Sequence, residues 1–423
     1  MRVAIIDFYA RMWRFECSLA QALAETGCDI SIHSGVKQPQ RKDEGRDAIA
    51  RPRCKAVAAF QCSTLRYRFR RALQGIQYKK CMTTLIETLR EEQPDIVHFL
   101  HSPLPNFDRQ LIRTIRVWAP VMLTAHETDL ARMGNTGKSQ YSGYQYLISQ
   151  CDRLVTHTTW ARRRLIELGV DSERIDLIPF GALDKQHCVD DATARMTSRT
   201  SPLTMLAPGG AERYQDIDVL IKAVRRLPNK VRDRCRFVVV GTLGKRLQLM
   251  EDICRESGVE HLFKFDVQVC GAPSREDDMG GASVFVFPDR NQLANGVFMK
   301  ASSYGVPIII ARKELYDALQ ENGAEAYLVD LSDEMALAAT LAQLIAQSGE
   351  RNAQAACAGA AVNPRPTWES VASRMLLGYQ RTLEYNAREE RDVRTNAVRG
   401  HETLSQRLSR RIDSVRGLGE VNA

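Results

Sequence analysis

Short runs of β-branched and aromatic residues recur along the chain, with longer segments of helically spaced apolar residues between them. In the first half the runs are Val3 to Asp7, Ile30 to His33, Ile96 to Leu100, Val121 to Ala125, Leu154 to Thr156 and Ile175 to Pro179. In the second half they are Thr204 to Ala207, Phe237 to Val240, Phe263 to Val267, Val284 to Pro288, Pro307 to Ala311 and Ala326 to Asp330. Strand-like runs alternating with helical patterns predict βαβ units, so each half is expected to build its own parallel sheet of six strands. The stripes Leu19, Ala20, Leu23, Ala24 and Val219, Leu220, Ala223, Val224 predict helices that cover those sheets.

Residues 184–202 lack apolar periodicity and hold Asp190, Asp191, Thr193, Ser198, Arg199 and Ser201, the composition of a linker. The expected division is a first domain over 1–183, a second over 203–365, and a closing helix over 366–385 with Trp368, Val371, Met375, Leu376, Tyr379 and Leu383 at near-helical spacing. Residues 386–423 alternate in charge and predict a tail, either a solvated helix or partly disordered.

The length of 423 residues is too great for one core and suits two. No apolar run approaches the ~20 residues of a membrane span, and the start of the chain reads as a strand rather than a leader, so a cytoplasmic protein is expected. Eleven scattered cysteines without Cys-x-x-Cys spacing predict reduced thiols and no metal site. The net charge of +8 is modest, but its distribution is uneven: from Arg51 to Lys80 there are nine basic residues and no acidic one, with Phe60, Leu65, Tyr67 and Phe69 between them. Such a stretch seeks anions, and an anionic membrane surface is one expected partner. No nucleic-acid module accompanies it, so nucleic acid is not expected as a partner.

Six segments in order carry a resemblance. They are Pro94-Asp95-Ile96-Val97-His98; Val121 to His126; Cys151 to Thr158 followed by Arg174 to Gly181; Ser283 to Pro288; Ala294 to Ala311 with its Gly305-Val306-Pro307 turn; and Thr367 to Ala372. Together these resemble the group 1 glycosyltransferases, similar to glycosyltransferase family 4, over about Met1 to Tyr385. The resemblance implies the GT-B fold: two Rossmann-like, doubly wound α/β domains facing a cleft, with the last helix crossing back to the first domain. It further implies an acceptor-binding first domain and a second domain that binds a nucleotide-diphosphate sugar as co-substrate. No other cofactor is expected. The acceptor class it implies is a polysaccharide or lipid-linked oligosaccharide.

Transfer from such a donor requires a grip on the diphosphate and a place for the acceptor hydroxyl. A helix N-terminus supplies free N–H groups for phosphate, and Asn295, Gly296 and Val297 fall at such a position, with Lys300 one turn on. Gly209, Gly210, Arg213 and Gln292 complete the expected donor site. Two family glutamates are replaced by Gln292 and Lys300, and the family's Arg and Lys after the first strand of the second domain align with Glu212 and Gln215, so that Arg213 is the substitute. In the first domain Arg11 and Arg14 replace a glycine pair and are the candidate acceptor-binding residues, the other reading being two solvated arginines. His126, just past a strand, is the first candidate proton acceptor, and Asp7 the second. His98 and His101 read as structural, and His157 carries no role. The stereochemistry stays open, as does the alternative of a catalytically silent GT-B protein that binds a nucleotide sugar or a partner. A nucleotide-sugar epimerase on the same fold fits the Gly305-Val306-Pro307 turn and the Trp368 segment less well.

Overall fold

The computed structural model describes residues 1–8, 13–34, 53–56, 67–102, 104–126, 138–179, 181, 202–208, 217–241, 247–267, 282–288, 301, 307–311, 316–317, 319–320, 326–358 and 366–398. The chain divides into two compact units. The first comprises Met1–His157, Ala161–Ile178 and Glu369–Ala423, and the second Thr158–Trp160 and Pro179–Trp368. The expected linker at 184–202 lies outside the described residues, apart from Pro202.

The first unit runs β1 (Arg2–Asp7), α1 (Trp13–Glu25), β2 (Asp29–Ser34), β3 (Arg53–Ala56), α2 (Tyr67–Glu92), β4 (Ile96–Phe99), α3 (Pro105–Ile115), β5 (Val121–Thr124), α4 (Lys138–Gln150), β6 (Arg153–Thr156), α5 (Thr159–Glu167) and β7 (Ile175–Leu177). Among the described residues the strands form a seven-stranded sheet in the order β3-β2-β1-β4-β5-β6-β7, paired parallel throughout. Six strands were expected here. The additional one, β3, is a four-residue strand reading Arg-Cys-Lys-Ala, without a β-branched or aromatic residue to mark it, and it lies at the sheet's edge beside β2 among the described residues. The inner strands β4, β5 and β6 are buried at every position, and most of those positions are apolar.

The second unit runs β8 (Leu203–Pro208), α6 (Ile217–Arg226), α7 (Asn229–Arg232), β9 (Cys235–Gly241), α8 (Leu247–Glu256), β10 (Phe263–Val267), β11 (Val284–Phe287), β12 (Ile308–Ile310), β13 (Ala326–Leu328) and α9 (Glu334–Ala358). Its six described strands lie in the order β10-β9-β8-β11-β12-β13, again parallel. On α6 the buried stripe is Ile217, Leu220, Ile221, Ala223 and Val224, with Val219 at its margin. Burying each larger aliphatic side chain there contributes roughly 1.5–3 kcal/mol.

The last helix, α10 (Trp368–Val398), starts with Trp368 in the second unit, whose ring lies against Gly181 so closely that a Cβ on Gly181 would stand 2.8 Å from it. From Glu369 onward it belongs to the first unit, where Val371, Ala372, Met375 and Tyr379 are buried. The helix extends thirteen residues beyond the expected end at 385, so the alternating charges of 388–394 are helical. Its middle is pinned to β7: Arg381 donates to Asp176 at 3.3 Å, and Asp176 also accepts from Arg153 at 3.0 Å.

Candidate active site

In each sheet the strand order reverses once, between β1 and β4 in the first and between β8 and β11 in the second. A doubly wound sheet binds ligands at the carboxyl ends of the strands beside such a reversal, because the flanking connections leave to opposite faces and open a crevice.

At that edge of the first sheet, Asp7 closes β1 opposite Ser34 of β2, and both are buried. His126 follows β5 and His157 follows β6. Their rings face one another with centroids 4.9 Å apart and 36° between planes. The β5–β6 pairing, with Thr124 opposite Val155 and the Ala125 N–H donating to the Val155 carbonyl at 2.8 Å, brings together two residues 31 positions apart. His157 Nδ1 donates to the Ile178 carbonyl at 2.8 Å, which fixes its neutral tautomer, and Phe15 of α1 meets the ring edge-on at 6.2 Å. Sequence reasoning gave His157 no role, since nothing local distinguishes it. The signal that finds it is its register position beside His126.

Burial holds these rings neutral. His157 is lowered from 6.5 to about 4, chiefly by desolvation and against its bond to Ile178. His126 lies well below 6.5, first through desolvation and then through repulsion from His157, His101 and His98, with a hydrogen bond to the Leu100 backbone opposing. His126 is half-buried as a residue, but its Nδ1 is sealed from solvent and has no hydrogen-bond partner. Neutral imidazoles suit hydroxyl groups better than phosphates, but the acceptor nitrogen of His126, Nδ1, is turned into the protein, so a hydroxyl reaches it only once that seal opens.

His98, beneath this edge in β4, is buried and lowered to about 3 by desolvation. Its Nδ1 lies 2.9 Å from the Tyr379 hydroxyl and its Nε2 2.9 Å from Thr124 Oγ1, as suits the structural role expected of it. The β4–α3 connection is shaped by buried Asp108, which accepts from the Tyr78 hydroxyl, from Ser102 Oγ at 2.6 Å and from the Leu104 N–H at 3.0 Å.

Arg14 lies in the first turn of α1, its side chain outside the described residues, and Arg11 lies outside them altogether. The donor candidates Gly209, Gly210, Arg213, Gln292, Asn295, Gly296, Val297 and Lys300 also lie outside them. In sequence, however, Gly209 and Gly210 directly follow β8, and Gln292 to Lys300 follow β11, the two strands beside the second reversal. Among the described residues no group of three or more His, Cys, Asp or Glu could hold a metal ion. A hollow of about 340 Å³ in the first unit lies at the opposite, amino edge, lined by Arg2, Asp29, Ser31, Glu91 and Glu92, away from the strand ends where this fold binds ligands.

Two parallel, doubly wound sheets in tandem, with the last helix on the first, define a GT-B protein. Solved structures share the fold. Sucrose-phosphate synthase from Thermosynechococcus elongatus superposes with a TM-score of 0.62 at 16% identity, covering 90% of this chain and 98% of that one. Anabaena HepE, solved in complex with UDP and glucose, does so with 0.62 at 13% identity, covering 89% and 98%. Residues 12–181 match the glycosyl transferase 4-like domain, and residues 202–347 match the glycosyl transferases group 1 domain. The chain belongs to the group 1 glycosyltransferases, with the 4-like domain preceding the group 1 domain along the sequence. A D-inositol 3-phosphate glycosyltransferase of Xylanimonas cellulosilytica is 29% identical over 253 residues, 55% of this chain. The match spans 58% of that relative's own length.

Proposed function

We propose that this chain transfers a sugar from a nucleotide-diphosphate sugar to a hydroxyl of a polysaccharide or lipid-linked oligosaccharide. The observation that carries the reading is the division of chemistry between the two sheet edges. Just beneath the first edge lie paired neutral imidazoles. The second is followed in sequence by glycines, Arg213, and the Asn295-Gly296-Val297 segment with Lys300. A hydroxyl needs a neutral proton acceptor, whereas a leaving diphosphate needs N–H groups and fixed positive charge. His126 is the proton acceptor in this reading and Asp7 its alternate, while Arg11 and Arg14 meet acceptor charge. Thermal unfolding with a panel of nucleoside diphosphates and their sugars tests the donor half. A ligand at a hundred times its Kd raises stability by about 2.7 kcal/mol, and a flat melting temperature across the panel contradicts it.

A silent nucleotide-sugar binder is the second reading, favoured by Gln292 and Lys300 at the two glutamate positions; it predicts the same thermal rise without turnover.

We also propose that the Arg51 to Lys80 stretch docks on anionic lipid at the inner face of a membrane. No helix among the described residues is long and apolar enough to cross one. The stretch includes strand β3 and the first half of α2, in whose middle Lys79 and Lys80 are exposed and Tyr78 is buried. Each basic residue near the headgroups contributes about 1 kcal/mol. Co-sedimentation with anionic but not neutral vesicles, lost in high salt and with Arg66, Arg68, Arg70 and Arg71 changed to Gln, is the expected result. Binding indifferent to all three overturns it.

A further inference from the structure

We infer that Tyr379 of α10 is a positioning residue for His126, acting through His98 and Thr124; this rests on the reading of the His126 edge as the place of the acceptor hydroxyl. Three buried polar side chains from three elements stand in line: the Tyr379 hydroxyl at 2.9 Å from His98 Nδ1, and His98 Nε2 at 2.9 Å from Thr124 Oγ1. Thr124 ends β5, two residues before His126. A neutral imidazole donates from one nitrogen and accepts at the other, so its two partners jointly choose the tautomer. A phenol donates more readily than it accepts, so Tyr379 donates to Nδ1 and leaves the proton on Nε2, which donates to Thr124. The end of β5 is thereby held by a residue 255 positions away in sequence. If Tyr379 only filled space, its ring would suffice, since that ring already packs edge-on against His98 with centroids 5.7 Å apart.

Tyr379→Phe keeps the ring and removes only the donor. The test combines ¹⁵N-histidine spectra of the full chain with kinetics on a nucleotide sugar. The expected result is a single Nε2-protonated His98 in the wild type and a mixed or reversed tautomer in Tyr379→Phe. With it go displaced His126 resonances and a kcat about five- to tenfold lower at unchanged donor KM, the worth of one net hydrogen bond. Thr124→Val should give the same pattern, and Thr124→Ser should recover most of the loss. Unaltered His98 and His126 resonances in Tyr379→Phe overturn the inference. Should that variant not fold, unaltered His126 resonances in Thr124→Val overturn it equally. A wild type with no turnover removes the functional reading, while displaced His126 resonances still support the coupling.

Discussion

His98, His126 and His157 each gain from staying neutral in the fold, and this has a consequence for stability in acid. In the unfolded chain all three take up protons near 6.5, but in the folded one His98 does so only near 3 and His157 near 4, with His126 also well below 6.5. Their contribution is whole above pH 6.5 and is lost as pH falls toward the folded values. Asp108 acts oppositely. Burial pushes it up to about 6, against its hydrogen bonds from Ser102, Tyr78 and Leu104, so its contribution is present below 3.8 and lost as pH rises through 6. At pH 5, therefore, unfolding takes up two protons at His98 and His157 and releases one from Asp108. The net uptake of one predicts a fall of roughly 1.4 kcal/mol for each unit of falling pH, and His126 acts in the same direction. Urea midpoints at pH 6.5, 5.5 and 4.5 check this, and His98→Asn should flatten the slope by about one proton. A midpoint unchanged over that range contradicts the account. His126 was legible because a histidine directly after a strand run falls at the sheet's carboxyl edge. His157 was not, because its partner depends on which strands pair, and strand runs alone do not give the pairing.

Most strands could be read from the sequence to within a residue or two, since buried parallel strands write continuous apolar runs. The exception, β3, carries Arg53 and Lys55 and lies at an edge, where one neighbour is enough. The closing helix was legible through Met375 and Tyr379, but not its length, because residues beyond 385 have no apolar stripe to bury. Its close approach to β7 was not legible either. A Cβ on Gly378 would stand 2.7 Å from Asp176 Oδ2, and Asp176 is held by Arg153 and Arg381. Gly378→Ala is thus expected to destabilise the protein by about 1–3 kcal/mol despite the better helix propensity of alanine, which is worth up to ~1 kcal/mol. The urea midpoint measures this, and a midpoint at or above wild type would show that Asp176 yields without cost.

At the scale of the molecule, two domains and two sheets were legible because the βα alternation is written twice. What the sequence left open was the use made of the fold, since the two glutamate positions read Gln292 and Lys300. Binding alone does not separate an enzyme from a silent binder, but turnover does. The most direct measurement is nucleoside-diphosphate release from a panel of nucleotide sugars, with glycan and lipid-linked acceptors, for wild type and His126→Ala. Release by the wild type from at least one donor is expected. His126→Ala should slow it by about 10²-fold while leaving the donor's thermal stabilisation intact. A donor that stabilises both proteins equally but yields no nucleoside diphosphate from either would contradict it.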